Sequence, residues 1–361
     1  MDLFSPLSLG DLNLANRITM APLTRMRSSE TGVPGELVAE YYAQRASLGL
    51  IVTEGVWPIL EGKAFAGQPG IETEEQVEAW RVVTDAVHAR GGLIVMQLMH
   101  GGRVSHTELT GTDRIVAPSA LAIDGEVHTG KGKLPFPVPH ALTPDELEST
   151  KEALVFGARN AIRAGFDGIE VHGANGYLLH EFLSPASNVR DDQYGGSPEN
   201  RARYVVEVVK AIREAIGAGR TGIRLSPSHN IQGVLEEDAA ETKATYDALL
   251  DGIGGIGLAY LSILHHDPAG EFVQHIRSRF DGGFIVNSGF GQVTTRDEAI
   301  ALVDGAHADA VAVGRLVIAN PDLAERWKAE ADENAPDPST FYSDGAHGYT
   351  DYPTLSVGAD A

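Results

Sequence analysis

What most constrains this chain is a period: short β-rich apolar runs alternate with helical patterns along most of its length. The runs are Ile18–Ala21, Leu50–Thr53, Leu93–Gln97, Gly168–Val171, Gly222–Leu225, Tyr260–Ile263, Phe284–Val286 and Ala310–Val313. Buried strands with helices between them call for a parallel sheet, and eight strands close a (β/α)8 barrel. The expected fold class is therefore α/β, a single TIM-barrel domain over 1–361, a length such barrels routinely reach. Helix starts support the pattern. Thr73 with Gln76, Thr143 with Glu146 and Thr295 with Glu298 have capping-box spacing, and Ser197–Pro198 opens a helix running towards Ile216. Ahead of the first run, Leu3–Leu14 with a turn at Gly10–Asp11 predicts a hairpin that plugs the barrel's bottom. His100–Pro139, rich in Gly, Pro and His, is too long for an ordinary connection and predicts a cap inserted after the third strand.

Composition narrows the chemistry. Cysteine is absent, which removes disulfides, a thiolate nucleophile and cysteine-ligated zinc or iron–sulfur centres. With 50 acidic residues against 28 basic, the formal charge is -22, a surface that repels nucleic acid and anionic membranes and also fits a salt-rich cytosol. Any phosphate-bearing ligand then needs a local basic or backbone-amide site. No stretch approaches the ~18 apolar residues of a membrane span. Met1–Pro6 lacks the basic start and apolar run of a secretory signal. A cytoplasmic monomer or homodimer acting on a small molecule is expected.

Barrel active sites lie at the C-terminal ends of the strands. The first strand delivers Pro22, Leu23, Thr24 and Arg25 there, the second Glu54 and Gly55, the third Gln97 and His100, and the fifth Arg224. The fourth is the richest: it runs into His172-Gly173-Ala174-Asn175-Gly176-Tyr177, three donor side chains interleaved with glycine and alanine. The seventh gives Asn287, Ser288 and Gly289, and the eighth Gly314 and Arg315. Glycines in these last two loops let backbone N–H groups approach a phosphate, and Arg315 can add a bidentate contact. Both glycines could also be plain turn residues, with Arg315 in a surface ion pair.

In chain order, Ala15–Ile18 with Ala21–Arg25, Tyr41–Ala46, Gln97–His100, His172–Leu179, Asn188–Ser197 and Gly348–Pro353 make the sequence resemble the old yellow enzyme family of flavin-dependent ene-reductases. The resemblance implies FMN across the barrel mouth, against Ala21, Pro22, Leu23, Thr24 and Gly55. It also implies phosphate at Ser288, Gly289, Gly314 and Arg315, Thr24 at the O4 edge, Gln97 at the pyrimidine edge and Arg224 near N1 and O2. NADPH or NADH would reduce the flavin. Hydride would then pass to the β-carbon of an α,β-unsaturated carbonyl or nitroalkene held by His172 and Asn175, with Tyr177 protonating the α-carbon. Phe65, Met99 and Tyr349 would line the substrate. Phe65 stands where relatives often carry tyrosine and Met99 where they often carry an aromatic, which predicts a pocket tolerant of larger substrates.

Each residue also has a plainer reading. A histidine after a strand is commonly a satisfied structural donor, Asn175 could cap a turn, and Tyr177 could be core. Tyr349 could be a packed aromatic in a C-terminal strap, and His100 could bridge the cap to the barrel. Other activities remain open on the residues alone. Nitrate esters or nitroaromatics could be reduced on the same site. A dienoyl-CoA reductase without iron–sulfur, a flavin carrier, or a metal-dependent barrel hydrolase using His100, His172, His265 and His266 are further readings. A Schiff-base lyase is disfavoured, since no lysine falls at a strand's inner end.

Overall fold

The computed structural model describes residues 1–355, so the domain extent expected from the sequence runs past them at its C-terminal end. Eight parallel strands close into a barrel: Ile18–Met20, Leu50–Val52, Ile94–Leu98, Gly168–Gly173, Thr221–Leu225, Tyr260–Leu264, Gly283–Asn287 and Ala310–Val313. The last pairs with the first through Val311 opposite Ile18, which seals the ring. Nearly every strand residue is buried, as a sheet with helices outside and side chains filling its lumen requires. The main helices between them span Glu36–Gln44, Glu74–His88, Pro144–Arg163, Pro198–Ile216, Ala239–Ile253, Glu271–Ser278 and Arg296–Asp304.

The expected capping boxes at Thr73/Gln76 and Thr143/Glu146 are complete. The third is only half formed. Thr295 accepts the Glu298 N–H, but the Glu298 carboxylate is turned instead to the Ser288 hydroxyl.

Leu7–Leu9 and Leu12–Leu14 form the antiparallel hairpin. Leu9, Leu12 and Leu14 pack with Leu50, Val52, Val95 and Tyr260 from the barrel and so plug its lower end. At the turn, Gly10 has φ +57° and a Cβ there would lie 2.6 Å from the Gly219 carbonyl oxygen, so only glycine fits. The insertion after the third strand holds a short helix (Thr107–Thr110) and a hairpin (Glu126–Thr129 with Gly132–Pro135). Val116–Ala117 pairs with His140–Ala141 at its base. Arg190 ties this cap down by donating to the carbonyls of Pro118 (2.8 Å) and Leu142 (2.6 Å) while pairing with Asp192. Among the described residues no helix is long and apolar enough to cross a membrane.

Candidate active site

Parallel register sets the inner wall. The fourth and fifth barrel strands align His172 with Arg224, and the fifth and sixth align Arg224 with Ser262. Side chains alternate along a strand, so Glu170 shares the inward face of His172. The result is a buried polar ladder. Gln97 donates to the Glu170 carboxylate (2.7 Å) and Arg224 donates to the Ser262 hydroxyl (3.2 Å). Burial pushes the Glu170 carboxyl up while the Arg224 cation pulls it back. The Arg224 Nε finds no hydrogen-bond partner among the described residues.

The turn after the fourth strand fixes the donors. The Nδ1 of His172 accepts the Ala174 N–H at 3.2 Å, which leaves the proton of a neutral imidazole on Nε2. Burial, reinforced by Arg224 and His180, holds this imidazole well below the usual histidine range. Asn175 sits in the left-handed region at φ +57°. Its backbone is clamped on both sides: its N–H donates to the Ser226 hydroxyl (2.8 Å) and its carbonyl accepts from Gln232 (2.8 Å). Its carboxamide oxygen is buried without a partner among the described residues. Tyr177, 9 % exposed, packs edge-on to Phe65 at 6.3 Å, and burial pushes its phenol up to about 12.

The loops after the seventh and eighth strands meet at the barrel mouth. Gly289 has φ +93°, Gly314 begins the short helix Arg315–Ala319, and the Arg315 guanidinium donates to the Phe290 carbonyl. Thr24, Pro22 and Leu23 are half-buried at the end of the first strand, beside the buried Ala21. Met99 is buried with its thioether in the notch left by Gly55, where a Cβ would come within 2.5 Å of the sulfur. With Ala64, Val104, Ile123 and Phe65 it forms an apolar wall around Tyr177. His100 is buried, its Nδ1 accepting the Gly102 N–H.

Two groups sit elsewhere than a mouth position requires. Tyr349 is fully buried and stacks on Tyr41 at 4.1 Å, which is core packing and not a surface leaning over a ligand. Arg25 is likewise buried. It donates to the carbonyls of Phe341 (3.1 Å) and Gly348 (2.8 Å) and to the Tyr41 hydroxyl (3.0 Å), so it fastens the C-terminal strap. Both fell at strand ends or in motifs by sequence; packing decides their direction. Sequence reasoning passed over Glu170, read as part of an apolar run. It also passed over Ser226 and Gln232, which lie in a loop with no periodic signal. An acidic residue two places before His172 on a buried strand was the available clue.

Residues 2–334 match the NADH:flavin oxidoreductase / NADH oxidase family. The chain belongs to this family. A probable flavin mononucleotide-dependent alkene reductase of Leishmania infantum is 42% identical, over 98% of this chain and 97% of that protein. The old yellow enzyme homologue from Zymomonas mobilis is 39% identical with a TM-score of 0.92, covering 98% of this chain and all of that one. Morphinone reductase, solved in complex with tetrahydroNAD, is 45% identical with a TM-score of 0.93, over 100% of this chain and 99% of that one. The old yellow enzyme resemblance read from the motifs is thus confirmed, and membership in this family does not favour a metal-dependent hydrolase.

The residues present suit the family's flavin. A buried Arg224 whose Nε lacks a partner among the described residues faces the lumen side of the ladder, and Gly289 adopts a conformation that favours glycine beside the exposed Arg315. A cation deep in the mouth with backbone amides and a guanidinium at the rim is the donor set that a ring with an attached phosphate needs.

Proposed function

We propose that this chain binds FMN across the barrel mouth and reduces activated alkenes at the expense of NADPH or NADH. Ala21, Pro22, Leu23, Thr24, Gly55, Gln97 and Arg224 would hold the ring, and Ser288, Gly289, Gly314 and Arg315 the phosphate. Because the Ser288 hydroxyl is engaged by Glu298, Ser288 would serve through its backbone. When bound, FMN would supply the hydride chemistry linking the nicotinamide to the β-carbon of an α,β-unsaturated carbonyl or nitroalkene.

The chain's own residues do the rest. His172 Nε2–H and the Asn175 amide donate to the substrate oxygen, where negative charge grows as the double bond is attacked. Tyr177 gives its proton to the α-carbon. A phenol pushed up to about 12 holds that proton across the neutral range. The apolar wall of Met99, Ala64, Val104 and Phe65 excludes water from the reacting carbon.

The observation that carries this reading is the Ala174 N–H on His172 Nδ1, which commits the opposite nitrogen to donation. The deciding experiment is anaerobic. The FMN-loaded protein is bleached with NADPH and then given cyclohexenone, and the yellow absorbance should return with formation of cyclohexanone. Recovery with oxygen but with neither an enone nor a nitroalkene would defeat the proposal.

A further inference from the structure

Behind the donor turn lies a buried polar cluster that the chemistry above does not use. His180, on the short helix Leu178–Leu183, is fully buried. Its Nδ1 accepts the Gly176 N–H at 3.0 Å, so its remaining proton is on Nε2. That nitrogen lies 3.3 Å from Glu236 Oε1 and 3.3 Å from the Tyr246 hydroxyl. Tyr246 in turn donates to Glu236 Oε1 at 3.2 Å, and the Ser228 N–H donates to Glu236 Oε2 at 2.6 Å. A buried carboxylate is tolerated when donors surround it, and here they come from three separate segments.

One of those segments is strained. Between residues 226 and 236, Ser228, Asn230 and Gln232 have φ of 57°, 47° and 57°, followed by Gly233 at 72°. Non-glycine residues in the left-handed region persist only where surrounding contacts over-determine them. Glu236 supplies such contacts, accepting from Ser228 and donating its own N–H to the Asn230 side chain at 2.7 Å. This is the loop whose Ser226 and Gln232 grip the Asn175 backbone.

We propose that His180, anchored by Glu236, is a positioning residue that locks the Gly176 amide. It couples the strained 226–236 loop to the turn presenting Asn175 and Tyr177. The imidazole bridges two loops that the barrel delivers from neighbouring strands, and neither loop has secondary structure of its own at that point. Losing the acceptor would free the Gly176 N–H, and the turn would sample positions in which the phenol misses the α-carbon. Small misplacements of that kind act on turnover more than on binding.

The effect on turnover rests on Tyr177 being the proton donor; the lock itself does not. The test therefore has two arms, both on FMN-loaded protein: wild type, His180→Leu and His180→Asn, the last retaining an acceptor near the Nδ1 position. Hydrogen exchange of the peptide spanning Ala174–Leu178 should accelerate about tenfold or more in His180→Leu, as expected for an orphaned buried amide, and return close to wild type in His180→Asn. Enone turnover should show kcat lower by roughly tenfold or more in His180→Leu with KM little changed, and recovery in His180→Asn. If His180→Leu does not accumulate, Glu236→Gln carries the same measurements, with a smaller acceleration in the same peptide.

Unchanged exchange in the variant that folds overturns the lock. So does an effect on KM alone, or a His180→Asn protein as impaired as His180→Leu. A wild type that shows protected Gly176 but reduces no enone would instead overturn the function proposed above and leave the lock standing.

Discussion

His172 and Tyr177 meet edge to face, their ring centroids 4.9 Å apart at 76°. The proposed oxygen-binding donor and the proposed proton source are thus mutually packed, and one can be altered chemically while the ring contact is kept. Tyr177→Phe keeps the ring and deletes the proton. Alkene turnover should fall by about 10²–10⁴, the usual contribution of a positioned general acid. Flavin bleaching by NADPH should stay near wild type, since it needs no such proton. Stopped-flow measurement of the two half-reactions separates these outcomes.

His172→Ala removes one of the two donors proposed for the substrate oxygen, and the cost should be about 10²–10³ in enone turnover. The pH profile gives an independent check. His172 is held well below the usual histidine range and Tyr177 is pushed up to about 12, so the first is neutral and the second protonated throughout the neutral range. Oxidation of the reduced protein by enone should be level from pH 6 to 9. A limb near pH 6.5 that vanishes in His172→Ala would contradict this.

Glu181 offers a stability test with a definite sign. Burial pushes its carboxyl from 4.5 up to about 8, although its Oε1 accepts the Arg103 N–H at 2.8 Å. A folded-state value above the unfolded one means that the native protein holds the proton longer. Its contribution is therefore full below about pH 4.5 and is lost as pH rises towards 8. Between pH 5 and 8 the wild type should lose urea stability relative to Glu181→Gln. Parallel curves for the two proteins would show that the carboxyl does not titrate there.

Arg224→Gln leaves Glu170 buried without its cation. Losing that attraction should lower urea stability, and adding Glu170→Gln should restore part of it. Urea titration of the flavin-free proteins measures this. Retention of FMN on a desalting column should remain weakened in both variants, because the Arg224 cation is absent from each.

Met99 fills the notch beside Gly55 with a flexible thioether. Met99→Trp should reorder preferred enones towards smaller ones, read as ratios of kcat/KM across a series of ring-substituted cyclohexenones. An unchanged order would count against Met99 as a wall of the substrate site.

The barrel was readable because each strand run is short, β-rich and bounded by capped helices; all eight predicted runs overlap observed strands. The donor turn was readable because His172, Asn175 and Tyr177 lie close together in sequence. Arg25 and Tyr349 were not. Their direction is set by a contact between chain segments hundreds of residues apart, and no local pattern encodes it. Glu170 was hidden by its apolar neighbours, and Gln232 by a loop whose left-handed residues carry no periodicity. Thr295 and Glu298 have the spacing of a capping box, yet a tertiary partner, Ser288, diverts the carboxylate.

The strap fastened by Arg25 bears on how the molecule is made. Arg25 leaves the ribosome early and finds the Tyr41 hydroxyl nearby, but its two carbonyl acceptors, Phe341 and Gly348, come last, while the first barrel strand waits for Val311. Until synthesis is nearly finished, a guanidinium destined for the interior lacks two of its three protein acceptors. The last residues of the barrel's C-terminal strap thus complete a corner that the first strand opens, joining the two ends of the fold through one side chain.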